Sequence, residues 1–105
     1  MADTQKRFEA LKQFVAADPA DSFSRYGLAL EHRSRGEHAE AIAQLEELRR
    51  RDPHYLALYY ALGGLYAAEH NEVNAKEVYL AGIMMAATQN EQHAKSELEE
   101  ALEAL

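Results

Sequence analysis

The sequence predicts an all-α chain of about six helices folded as antiparallel hairpins, and three observations carry that prediction. Ala, Leu, Glu, Gln, Lys and Arg dominate, and these are the good helix formers. Pro occurs twice and Gly five times in 105 residues, too sparingly for a protein built of strands and turns. The third observation is an internal repeat: Asp18-Pro19 recurs as Asp52-Pro53, a shift of 34 residues. The same shift carries Leu11 onto Leu45, Phe14 onto Leu48, Leu28 onto Leu62, Ala29 onto Gly63, His32 onto Tyr66, Ala41 onto Ala75 and Leu45 onto Tyr79. Self-similarity at that period is the signature of stacked helical repeats.

The first helix is expected over residues 4–17, capped by Asp3, with Phe8, Leu11 and Val15 on one face and Phe14 beside them. Pro19 cannot continue it and pushes Asp18 into an extended conformation. The second helix spans about 21–35, and Gly36 supplies the left-handed residue that closes it. The third covers about 38–51 with a stripe of Ala41, Ile42, Leu45 and Leu48, and Asp52-Pro53 stops it. The run Arg49-Arg50-Arg51 at its end complements the negative end of the helix dipole. Pairs of Glu46 with Arg50 and Glu47 with Arg51 are expected at i, i+4.

The fourth helix is expected over about 55–69. Asn71 is a good N-cap for a fifth over about 72–87. The sixth, about 91–105, shows Ala94, Leu98, Ala101, Leu102 and Leu105 on one side. It leaves the 34-residue register, since that shift would set Ser96 and Glu100 at packing positions, whereas a shift of 35 places Ala94, Leu98 and Ala101 there. A connection one residue longer around residues 88–90 is therefore expected. Small residues at Ala29, Gly63, Ala41 and Ala75 let paired helices approach, with Leu28, Leu62, Tyr66, Leu45 and Tyr79 filling the space beside each crossing.

The segment Tyr59-Tyr60-Ala61-Leu62-Gly63-Gly64-Leu65-Tyr66, followed by Ala75 and Tyr79, resembles the signature of the tetratricopeptide repeat (TPR) family, with aromatics replacing the tryptophan and the phenylalanine. The first copy reads Leu28-Ala29, His32, Gly36, Ala41, Leu45 and Pro53, and departs from the pattern at Arg25 and His32. The second copy ends in Ala87 rather than proline. The resemblance covers about residues 22–88. It implies a right-handed superhelical array in one domain of residues 1–105, comprising a half-repeat helix (1–19), two repeats (22–55 and 56–89) and a capping helix (90–105).

The resemblance also implies where a partner binds. In such arrays the first helix of each pair lines a concave face. Here that face carries Phe23, Tyr26 and Leu30 in the second helix, and Tyr60, Gly64, Ala67 and Ala68 in the fourth. The face is apolar and aromatic, and tyrosine offers large contact area with few torsions to freeze. Phe23 is as much a candidate for core as for binding. Gly64, with no side chain, would let a partner backbone come close. The lysine, arginine and asparagine clamp that one subclass uses for a peptide carboxylate is replaced here by Tyr26, Gly27, Leu30 and Ala61. The groove should take a protein or peptide with an apolar segment. A second copy of this chain, giving a homodimer, is the alternative.

Other functions find less support. The net charge of −7 argues against nucleic acid and anionic membrane as partners. There is no cysteine, hence no disulfide framework or thiolate site. His32, His38, His54, His70 and His93 include no pair at i, i+3 or i, i+4, so no metal is expected. No nucleophile with its base and no phosphate loop are evident, so neither enzyme activity nor a cofactor is expected. Met84-Met85 reads first as core filler. The polar start, residues 1–6, leads into no apolar signal core, and a cytoplasmic location is expected.

Overall fold

The computed structural model describes residues 2–105, and side chains from residue 4 onward. The side chain of Asp3, expected as an N-cap, lies outside the described residues. Six helices follow one another: α1 (Ala2–Ala17), α2 (Ser22–Ser34), α3 (His38–Arg51), α4 (Ala57–Ala68), α5 (Glu72–Thr88) and α6 (Gln92–Glu103). Among the described residues there is no strand, and no helix is long and apolar enough to cross a membrane. The helices group into two compact units, Met1–Pro53 and His54–Leu105.

In the first unit α2 packs on both α1 and α3. Phe8 and Val15 of α1 are buried with Leu28 of α2, and Leu11 packs against them. Phe14 does not join this face and is exposed. Phe8, Leu11 and Val15 are spaced by three and four, whereas Phe14 is rotated about 100° from Val15. Phe8 meets the edge of His32 at 5.2 Å, and the Arg35 guanidinium stands 4.1 Å above its ring. His32 is thus a half-buried packing residue whose Nδ1 lies 2.9 Å from Glu37 Oε1. Ala29, Ala41, Leu45 and Leu48 are buried, the small residues allowing the close approach of α2 and α3.

In the second unit α5 packs on both α4 and α6. Leu58, Tyr59, Leu62 and Leu65 of α4, Ala75, Val78, Tyr79 and Ala86 of α5, and Leu98 of α6 are buried. Two glycines permit this packing. A Cβ on Gly63 would come within 2.6 Å of Tyr79 Cδ1, and one on Gly82 within 2.6 Å of Tyr59 Cβ and 3.1 Å of Leu98 Cδ1.

Three tight turns share one device. Gly36, His70 and Asn90 have positive φ of 75°, 60° and 58°. The next N–H in each case donates five residues back: Glu37 to His32 O (2.9 Å), Asn71 to Tyr66 O (2.8 Å) and Glu91 to Ala86 O (2.9 Å). This is the Schellman closure of a helix. At the middle turn Asn71 also caps the next helix, its side-chain carbonyl accepting from the Asn74 N–H at 3.1 Å. Asp21 caps α2 in the same way, accepting from the Ser24 N–H at 3.0 Å.

The connection expected to be one residue longer around 88–90 is instead short. It comprises residues 89–91, against 52–56 between α3 and α4. The extra length lies inside α5, which has 17 residues where α3 has 14. At the position where Pro53 follows α3, α5 has Ala87, which continues the helix where proline would break it.

Candidate partner-binding faces

In each unit the first helix of the hairpin turns one side to its neighbours and leaves another outward. On α2 the inward residues are Leu28 and Ala29, while Phe23 is 76% exposed and Tyr26 and Leu30 are half-buried. On α4 the inward residues are Leu58, Tyr59, Leu62 and Leu65, while Tyr60 is 53% exposed and Gly64 and Ala67 are half-buried. Neither Tyr26 nor Tyr60 is sealed inside the fold, and Phe23 is not core. Within each unit the three residues follow at spacings of three and four, so each set shares one helix face.

The α4 face has a feature that residue types alone did not reveal. Tyr79 of α5 packs its ring against Gly63 and is buried, at 4% exposure. Its hydroxyl oxygen stands 3.8 Å from where a Gly64 Cβ would be. Burial first, and then the neighbouring Tyr60 phenol, raise the Tyr79 hydroxyl above the usual tyrosine range. The signal in the sequence was the exchange of Leu45 for Tyr79 under the repeat shift, which adds a polar atom at a packing position.

Arg25 is a second such case. It replaces the family aromatic, and it is buried at 7% exposure. Its guanidinium donates to Gln44 Oε1 at 2.7 Å and to the Pro19 carbonyl at 3.1 Å, while Nε is buried without a partner. Burial, followed by the charge of Arg51, lowers its pKa. Arg50 and Arg51 both bond Glu47, Arg50 through Nε at 3.0 Å to Oε1. The expected Glu47–Arg51 pair forms, and Arg50 also reaches Glu47, three residues away. Elsewhere Met84 is 73% exposed rather than core filler, and with Val73 and Leu80 it forms an outward stripe on α5. Among the described residues no three His, Asp or Glu side chains are placed to hold a metal ion.

A tetratricopeptide repeat domain protein from Salinibacter ruber is similar to this chain, and its solution structure decides the family. The two are 40% identical with a TM-score of 0.77, over 81% of this chain and 86% of that one. The chain belongs to the tetratricopeptide repeat family. A crystal structure of a Salinibacter ruber TPR domain protein agrees, at 39% identity and a TM-score of 0.75 over 78% of this TPR chain and 92% of that one. PcrH, solved in complex with the chaperone binding region of PopD, shares the fold with a TM-score of 0.90 at 14% identity, over 98% of this chain and 78% of PcrH. No family model and no curated protein matches the sequence.

Proposed function

We propose that this TPR chain is a protein-interaction module, an adaptor or scaffold that works by binding a partner segment and not by catalysis. The observation that carries the reading is the pair of outward aromatic faces, Phe23 with Tyr26 and Leu30 on α2, and Tyr60 with Gly64 and Ala67 on α4. Exposed aromatics lose water on contact with an apolar guest and contribute most of the energy at interfaces. PcrH lends support, because a protein of the same fold accommodates a segment of another protein. The experiment is affinity capture from the source cell with wild-type chain and with Tyr26→Ala/Tyr60→Ala. Proteins retained by wild type should be lost by the double variant while its circular dichroism stays helical. Equal retention by both would reject these faces.

Self-association is a second reading, favoured by the stripe of Val73, Leu80 and Met84 on the outward side of α5. A homodimer would cover that stripe with its own copy. Light scattering over a concentration series discriminates the two readings, since a mass that stays monomeric at high concentration excludes the dimer.

A further inference from the structure

We propose that the outward stripe of α5, formed by Val73, Leu80 and Met84, docks a cationic amphipathic helix of a partner protein. The inference rests on the reading of the chain as an interaction module and assigns that module a further surface, apart from the aromatic faces of α2 and α4.

The fold does not require apolar residues at these three positions. The 34-residue shift carries them onto Ala39, Glu46 and Arg50 of α3, and a second such shift onto Gln5, Lys12 and Ala16 of α1. The equivalent helices present alanine and polar groups where α5 presents valine, leucine and methionine. Those three side chains are 81%, 44% and 73% exposed. The packing side of α5 is already taken by its neighbours, with Tyr79 against Gly63, and Gly82 against Tyr59 and Leu98. Positions 73, 80 and 84 are spaced by seven and four, so they form a row on one helix face, about 16 Å long. Large apolar side chains grouped on an exposed face mark interaction sites. Met84 adds an unbranched, polarizable side chain that adapts its shape to a guest.

Charge selects the occupant. The unit His54–Leu105 holds eight glutamates against two lysines, Lys76 and Lys95, and no arginine, a net charge of −6. The unit Met1–Pro53 holds ten acids against nine bases, a net charge of −1. Nearly all the charge of the chain therefore belongs to the unit that carries the stripe. On α5 itself Glu72, Lys76 and Glu77 are exposed around Val73, so the local balance is negative too. An excess of one sign steers a partner of the opposite sign and repels its own. A second copy laid on the stripe would set one −6 unit against another, so a basic partner fits it better. The guest is a helix because the main-chain groups of α5 between its ends already bond along the helix and offer a strand no edge. A helix instead seats its own apolar ridge along the row.

The probe is a synthetic helical peptide about four turns long, with leucines along one face and lysines along the other. It is titrated into the wild-type chain and into Leu80→Glu/Met84→Arg, a double variant that installs the α3 residues at unchanged net charge. The double variant should keep its helical circular dichroism and bind the peptide about tenfold more weakly or worse. Val73→Ala, again the α3 residue, should weaken binding by a smaller factor. Affinity for wild type should fall as salt is raised, and a peptide with glutamate in place of lysine should not bind. Tyr26→Ala/Tyr60→Ala should bind the lysine peptide as wild type does. Equal binding by wild type and Leu80→Glu/Met84→Arg would reduce the contact to charge alone and overturn the stripe, as would no binding at all. An equally tight glutamate peptide would overturn the cationic partner. A wild-type dimer in light scattering that Leu80→Glu/Met84→Arg abolishes would give the stripe to a second copy and overturn the proposal. All of these outcomes leave the α2 and α4 faces standing, since those are tested through their tyrosines. Loss of the lysine peptide on Tyr26→Ala/Tyr60→Ala would move it to those faces and overturn the stripe while supporting them.

Discussion

The ring of Tyr79 occupies the space that a side chain on Gly63 would need. A Cβ there would lie 2.6 Å from Cδ1 and 2.8 Å from Cζ of that ring. Both groups are buried, so the ring has no free side toward which to yield. Alanine at position 63 would gain helix propensity of about 1 kcal/mol and lose more through overpacking, typically about 1–3 kcal/mol. Gly63→Ala should therefore lower the urea midpoint with an unchanged m-value. A variant as stable as wild type would show that α4 and α5 can separate without loss.

His70 carries a left-handed backbone at φ 60°, in the place where the first repeat has Gly36. A side chain in that region costs about 1–2 kcal/mol, partly offset in the unfolded chain, where glycine is the freer residue. His70 is exposed, so little packing is lost by removing it. His70→Gly should raise the melting temperature by a few degrees in a thermal scan, and a drop would mean that the imidazole makes a contact worth more than the strain.

Gln44 holds a buried cation. Its carbonyl oxygen accepts from Arg25 at 2.7 Å, and the guanidinium has already lost one partner at Nε. Gln44→Ala should cost about 1–3 kcal/mol, because a buried charged donor is left unsatisfied. Arg25→Met removes the charge together with its needs and should be near neutral. Denaturant melts of the two variants give the ranking, and a reversed order would show that the guanidinium contributes stability of its own.

The bonds from Arg50, then Arg51, lower the Glu47 carboxyl from 4.5 to about 2. A carboxyl that titrates lower in the folded state supports folding above its unfolded value, and that support fades as pH falls toward the folded value. Glu47→Gln should thus be less stable than wild type at neutral pH, with the gap closing between about pH 4.5 and pH 2. The pair sits at the surface, so salt should shrink the neutral-pH gap. A carboxyl resonance of Glu47 titrating near its ordinary value would contradict the assignment.

Period, composition and punctuation were enough to define the helices. The residue types that make turns act locally: Pro19, Pro53, Gly36 and Asn71 limit their own backbone or cap their own helix whatever surrounds them. Small residues at Ala29, Ala41, Gly63 and Ala75 likewise mark close crossings, because a crossing tolerates little else. The repeat placed Tyr26 and Tyr60 at equivalent outward positions for the same reason.

What tertiary structure alone decided was how each amphipathic group divides its surface. Phe14 and Met84 are apolar yet outward, and Arg25 is charged yet buried, since helix rotation and the reach of Gln44 outweigh residue type at those sites. Leu98 of α6 closes on Gly82 of α5, with its Cδ1 3.1 Å from where a Cβ would stand, a contact that the 34-residue register does not announce. The Tyr79 hydroxyl reaches Gly64 only because the ring packs against Gly63. Contacts between helices depend on distances that no local pattern encodes, and the polar edge of the α4 face is one of them.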